Sequence, residues 1–405
     1  MTHTAESNGI ATSESVNGVR WPFILLCCSP LLIVRIWMIC ARPQLYDFIT
    51  YWASGHLFLT RGHPYSAVAM LATERLQGWT FANPMMTFCP PWSLPFFGAM
   101  AILPFPLAHA TWLLASLALN CFSAFGLWIY FGGEKRRAWI ALLVVATFVP
   151  MGGAELLGQI TPLMLASLAG VLLLLESRRY FASGFLLLGI GFKPHLLYLF
   201  LLTLLIWTAK TRVWTMLAGA AASFGIATAG AVLYNPNSID YFRHSYGAAI
   251  EISCGLGGIL RSIFGVQHMW LQFVPSVFGM VWLIYYWIKH RHDWNWQMRL
   301  PLLLIVSVST SPYNWFHDFA MILPSLVFLA VRGGYRNFYT LLSYLALQII
   351  ILASFGLSEA WMSGVSILWV AFYCFAMGEF KSNCRLNHFD SGISQLSSQP
   401  GESCQ

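Results

Sequence analysis

Uniformly apolar segments recur along the chain, and several are long enough to cross a lipid bilayer. Backbone polar groups find no water inside a bilayer, so only helices and closed β-barrels can span it. The apolar runs are continuous and do not alternate with polar residues as barrel strands do. With 58% hydrophobic and 9% charged residues, the chain cannot cover a water-facing surface with polar groups. The sequence therefore predicts an all-α polytopic membrane protein.

Most basic residues fall in short clusters between the apolar runs, which is typical of cytoplasmic loops in membrane proteins. This distribution argues against nucleic-acid binding, although the formal net charge is +7. If every cluster is cytoplasmic, the chain crosses the membrane about twelve times. The clusters lie at residues 134–137, 178–179, 210–212, 289–291, 332–336 and 381–385.

The two ends of the chain differ in composition from the predicted membrane domain, which covers residues 21–380. Residues 1–20 and 381–405 are polar and lack periodicity, so both are predicted to be disordered cytoplasmic tails. The apolar run 21–40 is too long for a signal-peptide core and is interpreted as a retained first helix. Arg35, near its end, is expected to extend its side chain to an interface.

Two segments after the first helix are not simple membrane spans. Residues 41–88 are rich in Gly, Pro and aromatics, and are predicted to be a long first outer loop with short amphipathic helices. Residues 90–131 are apolar but broken at 103–106. This second segment is either a hairpin of two helices or one re-entrant piece followed by one helix, and the second form agrees better with the basic clusters.

Asp47 is the candidate catalytic base. It follows the first predicted helix and stands among the aromatic residues Tyr46, Tyr51 and Trp52. A carboxylate at the membrane surface can take a proton from a sugar hydroxyl, while aromatic rings offer a flat apolar wall for a sugar or an isoprenoid. The alternative is an interfacial helix cap followed by an aromatic belt.

Four further polar residues are candidates for substrate binding at the same outer face: Gln159, Lys193, Arg261 and His317. Lys193 lies within a long apolar run, where an ammonium needs a cavity, a partner or an interface, and a phosphate would be such a partner. His317 could bind a phosphate or orient the base. The alternatives are an ordinary turn for Gln159, a snorkelling side chain for Lys193 and a solvated aromatic-belt turn for His317.

Several other functions leave signatures that this sequence lacks. It contains no phosphate-binding Walker loop, no dinucleotide-binding glycine pattern and no spaced metal ligands, so neither a cofactor nor a metal is predicted. A transporter or lipid flippase is the main alternative, but no internal repeat is visible and the polar residues gather at one face. A structural scaffold would leave the ammonium of Lys193 without a role.

Seven short motifs follow one another along the chain: DFITYW from Asp47, RGHPY from Arg61, CPPW from Cys89, LPFPL from Leu103, Gly158-Gln159, FKP from Phe192 and SPYNWFH from Ser311. In this order they resemble glycosyltransferase family 87, the polyprenyl-phosphate-mannose-dependent mannosyltransferases of the GT-C fold. The resemblance covers roughly residues 40 to 330, and the order of the motifs carries more weight than any one of them. Cys89 and Asp318 depart from the family's usual pattern, in which an aromatic precedes the prolines and a second histidine often follows the first.

The resemblance implies an inverting transfer of a hexose, with mannose as the expected sugar, on the outer face of the bacterial cytoplasmic membrane. The donor would be a polyprenyl-phosphate sugar and the acceptor a glycan or glycolipid. It assigns the catalytic base to Asp47 and a site histidine to His317. Because the phosphate leaving group is already a weakly basic anion, we expect it to need cations such as Lys193 and His317 more than a protonating acid.

Overall fold

The computed structural model describes residues 21–40, 46–245, 255–333, 337–354 and 364–379. These residues form helices joined by turns, with no β-strand among them. Both predicted tails, 1–20 and 381–405, lie outside the described residues. The all-α fold class is confirmed.

The described residues contain eighteen α-helices and four short 3₁₀ helices. The α-helices are α1 Trp21–Cys40, α2 Tyr46–Leu59, α3 Ala67–Arg75, α4 Leu94–Ala101, α5 Phe105–Tyr130, α6 Trp139–Thr147, α7 Val149–Leu157, α8 Thr161–Glu176, α9 Tyr180–Ile190, α10 Tyr198–Thr211, α11 Trp214–Tyr234, α12 Ser238–His244, α13 Leu256–Phe264, α14 Val274–His290, α15 Trp296–Ser309, α16 Leu323–Val331, α17 Phe338–Ser354 and α18 Val365–Glu379. The 3₁₀ helices are Pro91–Ser93, Lys135–Arg137, Met269–Gln272 and Phe316–Ile322.

Several of these helices are apolar enough for a bilayer. Three are also long enough to cross it by themselves: Phe105–Tyr130, Trp214–Tyr234 and Met269–His290. A fourth crossing forms if the segments 135–147 and 149–157, which are bent by 65°, act as one span. Eight shorter apolar helices of 10–17 residues accompany them among the described residues. This composition is that of a membrane protein, while the count of about twelve crossings stays a prediction.

The bend between α6 and α7 has a local cause. Pro150 stands at the start of α7, and its ring removes a backbone donor that a continuous helix would need. Phe148 at the break is extended, and the freed N–H of Val149 donates to Gln348 Oε1 of α17 at 2.9 Å. The break is thus satisfied by a side chain from another helix, as apolar surroundings require.

The lengths of the two α-helices in residues 90–131 favour the re-entrant form over the hairpin. α4 has only eight residues, so it rises roughly 12 Å and cannot cross a hydrocarbon core of about 30 Å. α5 has 26 residues and can. α4 packs closely against α2, because a Cβ on Gly55 would lie 2.0 Å from the carbonyl oxygen of Phe97. Only glycine permits this backbone approach.

The segment predicted as the first outer loop contains two helices, α2 and α3. Most of α2 is buried in the protein, including Phe48, Ile49 and Ala53. α2 is therefore part of the bundle and does not rest on its surface. Residues 60–66 and 76–90 connect these helices to the rest of the chain.

The expectation that Arg35 reaches an interface is wrong. Its side chain is 9% exposed and forms a salt bridge with Glu155 of α7, with 2.5 Å between Arg35 Nη2 and Glu155 Oε1. The same carboxylate oxygen accepts from Asn120 Nδ2 of α5. An ammonium or guanidinium in an apolar bundle can be neutralised by a neighbouring helix as well as by reaching water, and sequence position alone does not distinguish the two.

Candidate active site

Asp47 and Tyr51 lie one turn apart on the same face of α2. A spacing of four residues places two side chains next to each other on a helix. Asp47 is half-buried, whereas Tyr51 is buried. The charge of Asp47 also acts on Cys89, Lys193 and His317, which come from three other segments. Asp47 therefore shares one electrostatic environment with residues that are distant in sequence.

A chain of hydrogen bonds connects this face of α2 with two turns. Tyr51 Oη donates to Gln159 Oε1 at 2.8 Å, and Lys193 Nζ donates to the same oxygen at 3.0 Å. Gln159 follows Gly158, which adopts φ +69° and ends α7 in the left-handed conformation that glycine favours. Lys193 lies in the turn 191–197 between α9 and α10. The structure thus brings three predicted site residues, Tyr51, Gln159 and Lys193, into direct contact.

Asp318 completes the chain of contacts. Its Oδ1 atom lies 2.9 Å from Lys193 Nζ, and its side chain is fully buried. Its other oxygen, Oδ2, accepts from the backbone N–H of Trp315 at 3.0 Å and so caps the 3₁₀ helix Phe316–Ile322. The carboxylate is held from both sides. Lys193 is consequently a paired cation before any ligand binds.

His317 stands beside this ion pair. Its Nε2 lies 3.7 Å from Asp318 Oδ1, beyond hydrogen-bond distance, and its side chain is 5% exposed. Neither ring nitrogen has a hydrogen-bond partner within the described part of the chain. A buried imidazole with free nitrogens can donate to an anionic ligand even when it is neutral, because one nitrogen still carries a proton.

Residues 76–90 contact α2 and reach the site at Cys89. Thr50 Oγ1 donates to the carbonyl oxygen of Met85 at 2.5 Å, and Tyr65 Oη donates to that of Cys89 at 2.9 Å. The N–H of Met85 donates to Glu74 Oε2 of α3 at 3.1 Å. Burial raises the pKa of Glu74 to about 7, and the Met85 hydrogen bond opposes part of this rise. Glu74 therefore anchors a segment that carries Cys89 to the site.

Two predicted site residues are engaged elsewhere. Trp52 faces away from Asp47 on α2, because Nε1 donates to the carbonyl oxygen of Leu103 and the ring packs on Phe105. Arg261 is fully buried and donates to Val266 O and to Gln272 Oε1 within the segment 256–272. The side chain of Tyr46, also predicted as a wall of the site, lies outside the described residues.

Asp318 is the site residue for which sequence reasoning assigned no role. The sequence did contain a signal: Lys193 in an apolar run requires a counter-ion, and few carboxylates lie on its predicted side. The same reasoning applies to Arg35 and Glu155, which also pair across the bundle. No group of three His, Cys, Asp or Glu residues in the described ranges could hold a metal ion.

The site can therefore offer a half-buried carboxylate, a paired ammonium, a buried imidazole and an aromatic hydroxyl. Comparison with known proteins gives a match to the sequence model described as Glycosyltransferase family 87, over residues 88–312. The match includes Gln159, Lys193 and Arg261, while Asp47 precedes it and His317 follows it. No curated protein matches the chain.

Proposed function

The chain belongs to glycosyltransferase family 87, and on that premise we propose that it transfers a hexose, mannose in the first instance, from a polyprenyl-phosphate donor. The acceptor is a lipid-linked or free glycan on the outer face of a bacterial cytoplasmic membrane. The observation that carries this proposal is the network Tyr51–Gln159–Lys193–Asp318 beside Asp47. Family membership favours this activity over a transporter or lipid flippase.

Asp47 acts as the general base in this proposal. It takes the proton from an acceptor hydroxyl while the hydroxyl oxygen attacks the anomeric carbon of the donor. The bond between that carbon and the phosphate oxygen breaks, and the phosphate leaves from the opposite face, so the configuration inverts. An enzyme of this type needs one carboxylate and positive or hydrogen-bonding groups for the leaving group.

Lys193 and His317 bind the phosphate of the donor in this proposal. An ammonium has three N–H donors, and Lys193 gives two of them to Asp318 and Gln159. The third is available to a phosphate oxygen, as is an N–H of His317. Tyr51 and Gln159 orient Lys193, and Tyr46 is proposed as a wall of the sugar pocket. Trp52 and Arg261 support α2 and the segment 256–272 in this proposal.

Replacing Asp47 with Asn tests the assignment. Membranes containing the full chain are incubated with radiolabelled polyprenyl-phosphate mannose, and label leaving the lipid is measured, with glucose and galactose donors in parallel. General-base catalysis contributes about 10²–10⁴-fold, so Asp47→Asn should reduce transfer at least about a hundredfold. Transfer by the variant at a near wild-type rate would show that Asp47 is not the base.

Asp240→Asn is the matched control. Asp240 lies in α12 and is 68% exposed, and among the described residues its carboxylate forms a single long contact, of 3.9 Å with Arg243. The same loss of one negative charge there should leave transfer unchanged. Absence of transfer from all three donors by the wild-type chain would contradict the proposed function itself.

A further inference from the structure

A phosphate that leaves during the proposed reaction carries more charge than the donor it came from. The donor is a phosphodiester with one negative charge, whereas the released polyprenyl phosphate is a monoester with about −1.5 to −2 at pH 7. A site built only from cations would bind the product more tightly than the donor. The arrangement around Lys193 avoids this situation.

We propose that Asp318 is a specificity-determining residue that acts through Lys193, disfavouring the dianionic polyprenyl phosphate relative to the monoanionic donor. This inference rests on the proposed function. Asp318 neutralises the only ammonium that the described part of the site contains, at 2.9 Å. It therefore limits how much negative charge Lys193 can hold.

The carboxylate of Asp318 cannot move aside when a ligand arrives. It is fully buried, its Oδ1 is bonded to Lys193 Nζ, and its Oδ2 is bonded to the N–H of Trp315. A phosphate on the remaining Lys193 N–H would lie about 5 Å from this carboxylate. At an effective dielectric constant of about 20, each further negative charge on the ligand is then disfavoured by at least about tenfold.

Other ionisable groups face this carboxylate from several segments. They are Lys193 and His195 in the turn 191–197, His317 beside it, Tyr51 on α2 and Cys89 from the segment 76–90. Asp47 on α2 acts on Lys193 and His317. All of them are retained when Asp318 alone is changed. A difference between that variant and the wild-type protein therefore reports the charge at position 318.

Four proteins form a charge series at this pair: the wild type, Asp318→Asn, Lys193→Gln and the double variant. For each purified full-length chain, the Kd of polyprenyl phosphate is divided by the Kd of the polyprenyl-phosphate hexose. Asp318→Asn removes one negative charge, which leaves the pair with a net charge of +1, and should lower this ratio at least about tenfold. Lys193→Gln should raise it, and the double variant, again neutral at this pair, should return it close to the wild-type value.

The pH dependence separates charge from structural damage. The second phosphate pKa is near 6, so the effect of Asp318→Asn on the ratio should grow between pH 5.5 and pH 8. During turnover, the same variant should show stronger inhibition by polyprenyl phosphate without a matching fall in the KM for the donor. A variant with only structural damage would bind both ligands more weakly, by the same factor at every pH.

Asp293→Asn is the matched control. Asp293 pairs with Arg299 Nη2 at the same 2.9 Å distance but is 65% exposed and lies between α14 and α15. An unchanged ratio in Asp318→Asn, or a change that does not depend on pH, overturns the inference. If Asp318→Asn does not fold, the ratios of Lys193→Gln and the double variant still decide it. Because Kd values need no turnover, they test Asp318 even if hexose transfer is absent and the proposed function fails.

Discussion

A buried ion pair such as Lys193–Asp318 contributes little net stability, because dehydration of both charges offsets most of their attraction. Its effect on ligands is larger, since it fixes an ammonium beside Gln159 Oε1 and sets the charge of the site. Arg35 and Glu155 form a second pair of this kind. Removing one member of either pair should be more harmful than removing both, because the remaining charge would be buried without a partner.

Glu74 is a buried carboxyl with no cation paired to it among the described residues. One oxygen accepts from the N–H of Met85, and Oε1 has no partner within the described part of the chain. Its pKa rises to about 7 from an ordinary value of 4.5, because burial disfavours the charged form. The folded protein therefore binds a proton at Glu74 more tightly than the unfolded chain does.

This difference in pKa predicts a pH-dependent stability. The contribution of Glu74 to stability is fully present below the unfolded pKa of 4.5, and it is lost as the pH rises through about 7. Between pH 5 and pH 8 the wild-type Tm should fall by about 2 °C or more relative to that of Glu74→Gln. Thermal unfolding of both purified proteins across this pH range measures the difference in Tm. If the Tm values of the two proteins changed with pH in the same way, the raised pKa of Glu74 would be contradicted.

At the scale of elements, α7 is the helix on which the arrangement of the site depends. It ends at Gly158 directly before Gln159, and two of its glycines allow close contacts on different faces. A Cβ on Gly152 would lie 2.5 Å from Arg35 Nη1, and one on Gly153 would lie 2.2 Å from the ring of Phe316. Phe316 directly precedes His317. Because Gly152 and Gly153 carry no Cβ, they determine how closely the His317 turn approaches α7.

Gly153→Ala should displace this turn. The added methyl group cannot fit without movement of Phe316, and overpacking of this kind costs about 1–3 kcal/mol. We expect a Tm lower by several degrees and hexose transfer reduced by roughly tenfold or more, because His317 would shift with its neighbour. Thermal unfolding and the radiolabel assay measure the two effects.

Gly225→Ala in α11 is the control for this prediction. A Cβ there meets no atom of the described residues within 4 Å, and alanine is favoured over glycine inside a helix by about 0.5–1 kcal/mol. This control should keep full activity with an equal or higher Tm. If Gly153→Ala behaved like the control, α7 would not set the position of the His317 turn.

The elements also show which features the sequence could predict. The apolar composition and the lack of water in a membrane were sufficient to predict an all-α fold. The break at 103–106 also predicted that the helix before it, α4, would be short. Composition did not predict which side chains of α2 face the site. Asp47 and Tyr51 share a face only because the helix includes both, and that places Trp52 against Leu103 on another side. Pairings such as Lys193–Asp318 join residues 125 positions apart and depend on tertiary packing.

At the scale of the whole molecule, the contacts of the site indicate which turns share one end of the bundle. Lys193 contacts both Gln159 and Asp318, so the turn before α8, the turn after α9 and the 3₁₀ helix before α16 lie together. α9 has eleven residues and rises roughly 16 Å, about half of a hydrocarbon core. If α9 begins at the cytoplasmic surface, the Lys193 turn would lie within the hydrocarbon core, which would suit the phosphate of the proposed lipid-linked donor.

The same connectivity determines where the basic turns lie relative to the site. α8 leads from Gln159 to Arg178, and α10 leads from Lys193 to Lys210, so both cations lie at the helix ends away from the site. Between Asp47 and the cluster 134–137, α4 is too short to cross and α5 is long enough. If α5 alone crosses, this cluster also lies opposite to Asp47, as the rule for cytoplasmic basic loops requires.

Labelling from outside the cell tests this orientation. In a background without native cysteines, Asn83→Cys should react with a membrane-impermeant maleimide in intact spheroplasts, because residue 83 is exposed in the segment 76–90, which contacts α2 at Thr50. Arg136→Cys, also exposed, should react only after the membrane is permeabilised. Both variants should retain hexose transfer. Labelling of position 136 in intact spheroplasts would mean that α4 and α5 form a hairpin of two crossings, or that the site faces the cytoplasm and draws on a donor from that side. Position 83 distinguishes these two explanations. It stays reactive in intact spheroplasts if α4 and α5 form a hairpin, and it becomes unreactive there if the site faces the cytoplasm.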